Sequence, residues 1–149
     1  MPALTALLIV GAVVLLGLLV GIALRARDGR ERAGGSARVR VEDVGSGVLG
    51  SAALVQFSTE FCARCPQVRR LLGAVAHDAG IPLAEIDLTH RGDLASRYGV
   101  LQTPTTFLVD ASGAVVSRWG GVPERASIEA AVTALATAHP CTVRSQEQP

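Results

Sequence analysis

The sequence contains no lysine, so all 14 of its fixed cationic side chains are arginines. Three cysteines are too few for a small scaffold stapled by several disulfides. Charge is missing altogether from the first 24 residues, and neither an internal repeat nor a long low-complexity tract is found further on. The charges that do occur are unevenly placed. Residues 25–40 carry six arginines against Asp28 and Glu31, a local balance of +4. Residues 41–149 carry eight arginines against eleven acids, a balance of −3, so the formal +1 of the chain conceals three different segments. The part able to fold is mildly acidic, which excludes a nucleic-acid binder held by bulk charge. Without its apolar head and basic stretch, the chain has length for about one small domain.

Residues 3–24, ALTALLIVGAVVLLGLLVGIAL, are uncharged, with Thr5 the one clearly polar side chain. About 20 apolar residues in a helix cross a bilayer core. A cleaved signal peptide would have a charged start, an apolar core of about 7–15 residues and an A-x-A-like exit. Here the start is MPAL and the exit GIALRAR. A soluble core helix of this length would need a larger domain around it. Residues 1–24 are therefore expected to be a retained transmembrane anchor whose partner is the lipid bilayer. RARDGRER follows directly, and cationic flanks tend to stay in the cytoplasm. The expected protein is single-pass in the cell membrane, with its domain on the cytoplasmic side. Residues 25–37 read as a basic flexible tether near anionic headgroups.

From residue 37 the periodicity changes repeatedly. ARVRVEDV alternates like an edge strand, and AALVQFST is a short apolar run suited to a buried central strand. From Cys62 the spacing is helical, with Val68, Leu71, Leu72 and Val75 on one face and Arg69 and Arg70 off it. IPLAEIDL reads as a strand and Asp93–Tyr98 as a short helix stopped by Gly99. TTFLVD and AVVSRW flank a hairpin turn at Ala111-Ser112-Gly113, and a last helix begins near Pro123 or Ser127 and ends before Pro140. This order predicts an α/β domain over residues 38–138. Its mixed sheet has two parallel strands joined by a crossover helix and a hairpin adding antiparallel edges. Residues 139–149 read as a disordered tail.

Cys62-Ala63-Arg64-Cys65 falls where a buried strand meets a helix. Cys62 is expected at the N-cap, where unpaired amides and the helix dipole favour an anion. A thiolate there is stabilised, and the thiolate is the nucleophile. Arg64 adds a cation that acts in the same direction. Cys65, about one turn on, is close enough to close a disulfide and better shielded, which suits a resolving thiol. Other uses of such a pair remain open. They include half of a zinc site, which would need His77, His90, His139 or Cys141, ordinary buried cysteines and a static disulfide. Cys141 itself reads as a free thiol in the tail. Tyr98 and Trp119 read as core or groove-lining residues. Thr103-Pro104, at a strand start, reads by itself only as a turn proline.

Taken together, Phe57-Ser58-Thr59-Glu60-Phe61-Cys62-Ala63-Arg64-Cys65, Arg97-Tyr98-Gly99-Val100, Thr103-Pro104-Thr105 and Trp119-Gly120-Gly121 resemble the thioredoxin family over roughly residues 38–138. The resemblance implies a thioredoxin-like mixed sheet flanked by helices, here preceded by one transmembrane helix. It implies a cis Pro104 beside the cysteines, a substrate-binding backbone at Thr103 and a groove flanked by Gly121. The sequence departs from the family at Phe61, where thioredoxins carry Trp, and at Ala63-Arg64, where they carry Gly-Pro. Gln56 replaces a buried aspartate. Glu85 falls near the position of the lysine that partners that aspartate, and Glu85, with Arg64, is expected to tune the pair. Pro66 after Cys65 is also unusual and should tilt the helix start rather than break it.

The expected function is a membrane-tethered thiol–disulfide oxidoreductase that reduces or exchanges disulfides in protein substrates. It requires an electron donor that the sequence does not name, and neither metal nor organic cofactor, because the two thiols carry the electrons. Two alternatives are a membrane-anchored binding module of the same fold without turnover, and a metal-handling domain with Cys62 and Cys65 as soft ligands, for instance for Cu(I).

Overall fold

The computed structural model describes residues 2–25, 29–35, 37–45 and 47–138. Helix α1 runs over Pro2–Arg25. Its segment Leu4–Ala23 has a mean hydropathy of 2.9 and is nowhere buried in the protein. It is long and apolar enough to cross a membrane, a property that a retained anchor shares with a signal sequence. The elements that follow are β1 (Glu31–Ala33), α2 (Val41–Val44), β2 (Ala53–Ser58), α3 (Cys65–Ala79), β3 (Leu83–Asp87), α4 (Gly92–Arg97), β4 (Thr105–Val109), β5 (Val115–Gly120) and α5 (Arg125–Ala138).

The strands form one mixed sheet in the order β1-β5-β4-β2-β3. β2 and β3 run parallel, joined through α3, and every other neighbouring pair is antiparallel. All six residues of β2 and all five of β4 are buried, because cores lie on both faces of the sheet. On one face Phe57 stacks edge-on against Phe107 at 4.8 Å, with Tyr98 5.3 Å from Phe57. On the other, Leu54, Leu108 and Trp119 pack against α3 and α5 through Val68, Leu72 and Ile128. Of the helical face expected from Val68, Leu71, Leu72 and Val75, Leu71 is half-buried and the other three are buried, while Arg69 and Arg70 are exposed. Tyr98 and Trp119 are both core residues.

Three local expectations change. First, ARVRVEDV is not an edge strand: only Arg38 bridges to Ala114, and Val41–Val44 turn into α2. The reason is Asp43, whose side chain is 7% exposed and takes the Tyr98 hydroxyl and the Arg97 guanidinium, a pairing an extended chain would forgo. Second, the edge strand is instead Glu31–Ala33, within the stretch read as a flexible tether, where it pairs with β5. Third, the hairpin does not add outer edges. β4 lies inside the sheet, and β5 is covered by β1. α4 ends as expected, with Gly99 following at φ 58.

Candidate active site

β2 ends at Ser58, and a tight turn then carries the chain into α3. The Cys62 amide donates to the Thr59 carbonyl at 3.1 Å and the Cys65 amide to the Cys62 carbonyl at 3.2 Å. The N-cap of α3 is therefore Arg64, and Cys62 lies in the turn just before it rather than at the cap itself. The positive end of the α3 dipole still lies at the pair. Pro66 sits in the first helical turn, where no intrahelical amide bond is lost. Cys62 is half-buried and Cys65 is 3% exposed. The two are joined as a disulfide, with an S–S distance of 2.05 Å and a Cα–Cα distance of 5.4 Å. Arg64 lies exposed between them.

Two further loops meet this turn at the same end of the sheet. The Thr103–Pro104 peptide is cis, and the Thr103 hydroxyl lies 3.3 Å from that of Thr59. The Gly121 amide donates to the Pro104 carbonyl at 2.8 Å. Gly121 has φ 85, a left-handed conformation that suits glycine and lets the loop come this close. The cysteine, proline and glycine loops thus meet at one end of the sheet.

Phe61 and Leu101, at 86% and 96% exposure, are the most exposed large apolar side chains outside α1 among the described residues. Phe61 directly precedes Cys62, and Leu101 lies two positions before Thr103. Leu101 was missed in the sequence, where its side-chain type alone does not distinguish it from a buried leucine. The signal available was its place between Gly99 and the proline turn.

Behind the disulfide a cleft of about 380 Å³ is lined by Ser58, Thr59, Cys62, Cys65, Arg69, Glu85 and Asp87, among others. Glu85, on β3, forms an ion pair with Arg69 of α3 at 2.5 Å, and its side chain is 27% exposed. Arg69 was not anticipated as part of this site. Gln56 lies opposite Glu85 in the register, and its Nε2 donates to the Cys65 carbonyl at 3.0 Å. The other amide atom, Oε1, is buried with no partner. Asp87 accepts both the hydroxyl and the amide of Thr89, and these donors hold its carboxyl below the usual carboxylate range.

His77 and His90 are exposed, and among the described residues no three His, Cys, Asp or Glu side chains gather into a metal-holding group. His139, Cys141 and the rest of the expected tail lie outside the described residues. Chemically, the site offers a half-buried Cys62 joined to a shielded Cys65, with the Thr103–Pro104 and Gly121 loops at the same end of the sheet. A thioredoxin family model matches residues 45–134, more than half of the chain.

The chain belongs to the thioredoxin family.

Solved structures agree on the fold. A variant thioredoxin from Halobacterium salinarum is 21% identical with a TM-score of 0.57, the alignment covering 66% of this chain and 87% of that one. A thioredoxin-like protein from Clostridium perfringens is 23% identical with a TM-score of 0.52, covering 58% and 72%. Thioredoxin-2 of the malaria parasite is 19% identical with a TM-score of 0.51, covering 56% and 82%. No curated protein matches the chain. For a thioredoxin fold, the Cys62–Cys65 pair supports thiol–disulfide oxidoreductase chemistry.

Proposed function

We propose that this thioredoxin-family chain is a membrane-tethered oxidoreductase that reduces or exchanges disulfides in protein substrates. The observation that carries the reading is the asymmetry of the pair: Cys62 is half-buried, whereas Cys65 is 3% exposed. The Cys62 thiolate attacks a substrate disulfide, forming a mixed disulfide and releasing one substrate thiolate, which takes up a proton. The Cys65 thiolate then attacks the Cys62 sulfur and releases the second. Two electrons pass to the substrate and the protein is left as the Cys62–Cys65 disulfide, to be reduced again by an external dithiol donor. Thr103, Pro104 and Gly121 would bind the substrate chain through backbone groups. The apolar α1 supports a retained anchor, and the arginine-rich flank after it supports placing the domain on the cytoplasmic side.

Glu85 and Arg64 are proposed to tune the pair, Arg64 by its charge between the cysteines and Glu85 by assisting proton removal from Cys65 across the shared cleft. Glu85→Gln should slow resolution of a mixed disulfide in a pH-dependent manner in stopped-flow kinetics, and an unchanged rate at every pH would remove Glu85 from the mechanism.

A Cys65→Ser variant tests the function itself. It should accumulate covalent mixed disulfides that reductant releases, seen as shifted bands on non-reducing gels. If no adduct forms with any disulfide partner, the groove is a binding module rather than an exchanger. The midpoint potential of the pair against dithiol buffers then separates a reductant from an oxidant or isomerase.

A further inference from the structure

The strand that opens the folded domain enters at the reactive end of the sheet. In the β1–β5 register Glu31 faces Trp119 and Ala33 faces Ser117, so β1 starts beside the end of β5 that leads to Gly121. It then runs away from the cysteines, and the chain reaches the hairpin end at Arg38, bridged to Ala114. Just before β1, the Gly29 amide donates to the Gly120 carbonyl at 2.5 Å. Gly29 is buried at φ 75, and a Cβ there would lie 2.2 Å from the Val122 carbonyl oxygen. The contact is thus specific to glycine, and it seats the start of the domain against the Gly120–Val122 loop, whose Gly121 touches Pro104.

Chain length does the rest. α1 ends at Arg25, so residues 26–28 are the whole connection to Gly29. Four Cα steps reach at most about 14 Å. β1 is three places from β2, whose end carries the cysteine turn, and three strand spacings add about 14 Å. With the four steps from Ser58 to Cys62 added, the pair lies within roughly 40 Å of the end of α1. Arginines occur at 25, 27, 30 and 32 around this junction, suited to anionic headgroups at the bilayer surface.

We propose that the groove faces the bilayer and that its substrates are disulfides of membrane proteins held close to the membrane surface. This rests on the anchored exchanger proposed above and adds its substrate class. A disulfide carried on a neighbouring span meets Cys62 at high effective concentration. One held far above the bilayer has to reach beneath the domain.

The test uses the full chain in lipid nanodiscs, reduced beforehand with a dithiol so that one turnover needs no further donor. Two designed single-span peptides share the discs. One has its disulfide loop beside the span, and the other carries the same loop on a rigid helical spacer about 60 Å long. A soluble aromatic disulfide serves as control. The juxtamembrane loop should be reduced about tenfold faster than the raised one. Inserting a 30-residue Gly/Ser segment between Arg27 and Asp28 should bring the two rates within about twofold, leaving the soluble control unchanged. Equal rates without the insertion, or a preference that survives it, would overturn the proposal while leaving the exchanger intact. Failure to reduce the soluble disulfide, or to remain with the discs, would overturn the anchored exchanger and this inference with it.

Discussion

The two ends of the central sheet are built to different standards. At the hairpin end, Asp110 Oδ1 accepts the Ser112 amide at 2.8 Å, the Ser112 hydroxyl at 2.7 Å and the Ala114 amide at 3.0 Å. Arg38 donates to the Ser112 carbonyl at 3.0 Å, and Val39 to that of Gly113 at 2.7 Å. At the cysteine end, Gln56 Oε1 and Thr106 Oγ1 are buried without partners, on residues directly opposite each other in the β2–β4 register. Phe61 and Leu101 stand in solvent there. Buried polar groups are nearly always paired, and exposed apolar groups mark contact surfaces. The comparison teaches that one end is closed by its own hydrogen bonds, while the other keeps two buried polar atoms without partners and two apolar side chains in solvent.

The sharpest break in this comparison is Cys62→Ser. It should lower exchange with a soluble disulfide by at least about a thousandfold, while the reduced domain unfolds at an unchanged denaturant midpoint. Next in size is Gly29→Ala, which places a Cβ against the Val122 carbonyl at a positive φ. It should cost about 2–3 kcal/mol in denaturant unfolding by unseating β1.

At the hairpin end, Asp110→Ala should cost about 1–2 kcal/mol and leave exchange untouched. The charge there can be isolated by pH. Burial pushes the Asp110 carboxyl up, but donation from the Ser112 hydroxyl and the Ala114 and Ser112 amides outweighs it and holds the value below normal. The unfolded chain then binds the proton first. The stability this gives is complete above the unfolded value near 3.9 and fades as pH falls through the lower folded one. Asp110→Asn keeps an acceptor oxygen and should flatten that acid limb in a pH series of urea melts.

The smallest effect belongs to Gln56→Met. It removes the orphan Oε1 together with the Nε2 bond to the Cys65 carbonyl, with little change in volume; the gain and the loss offset, and stability should alter by less than about 1 kcal/mol. A loss as large as that of Asp110→Ala would mean the cysteine end is as well satisfied as the hairpin end.

Much of this was legible in the sequence. The apolar run of α1, the buried β2, the face of α3 and the hairpin turn follow from local periodicity and turn chemistry. The redox pair was visible as Cys62 and Cys65 at a strand-to-helix junction. Three of the misreadings share one cause, which is that the partner lay far away in the chain. Val41–Val44 leave the extended state because Asp43 finds Tyr98 and Arg97, more than 50 residues on. Glu31–Ala33 become a strand because β5 offers an edge, although RARDGRER shows no apolar alternation. Arg69 was read only as the outer face of a helix, yet it reaches Glu85 on β3.

The sequence by itself determined an uncharged 22-residue segment, an arginine-rich flank, one small α/β domain and a cysteine pair with a downstream Thr-Pro. These are local properties, set by composition, by periodicity and by which residues tolerate a helix start or a turn. Only the tertiary structure decided that β4 lies inside the sheet, that Gly121 touches Pro104, and that Gly29 seats the domain at its reactive end. Strand order and loop convergence depend on which hydrogen-bonding edges and apolar faces find one another across the whole chain, and no single stretch of it encodes them.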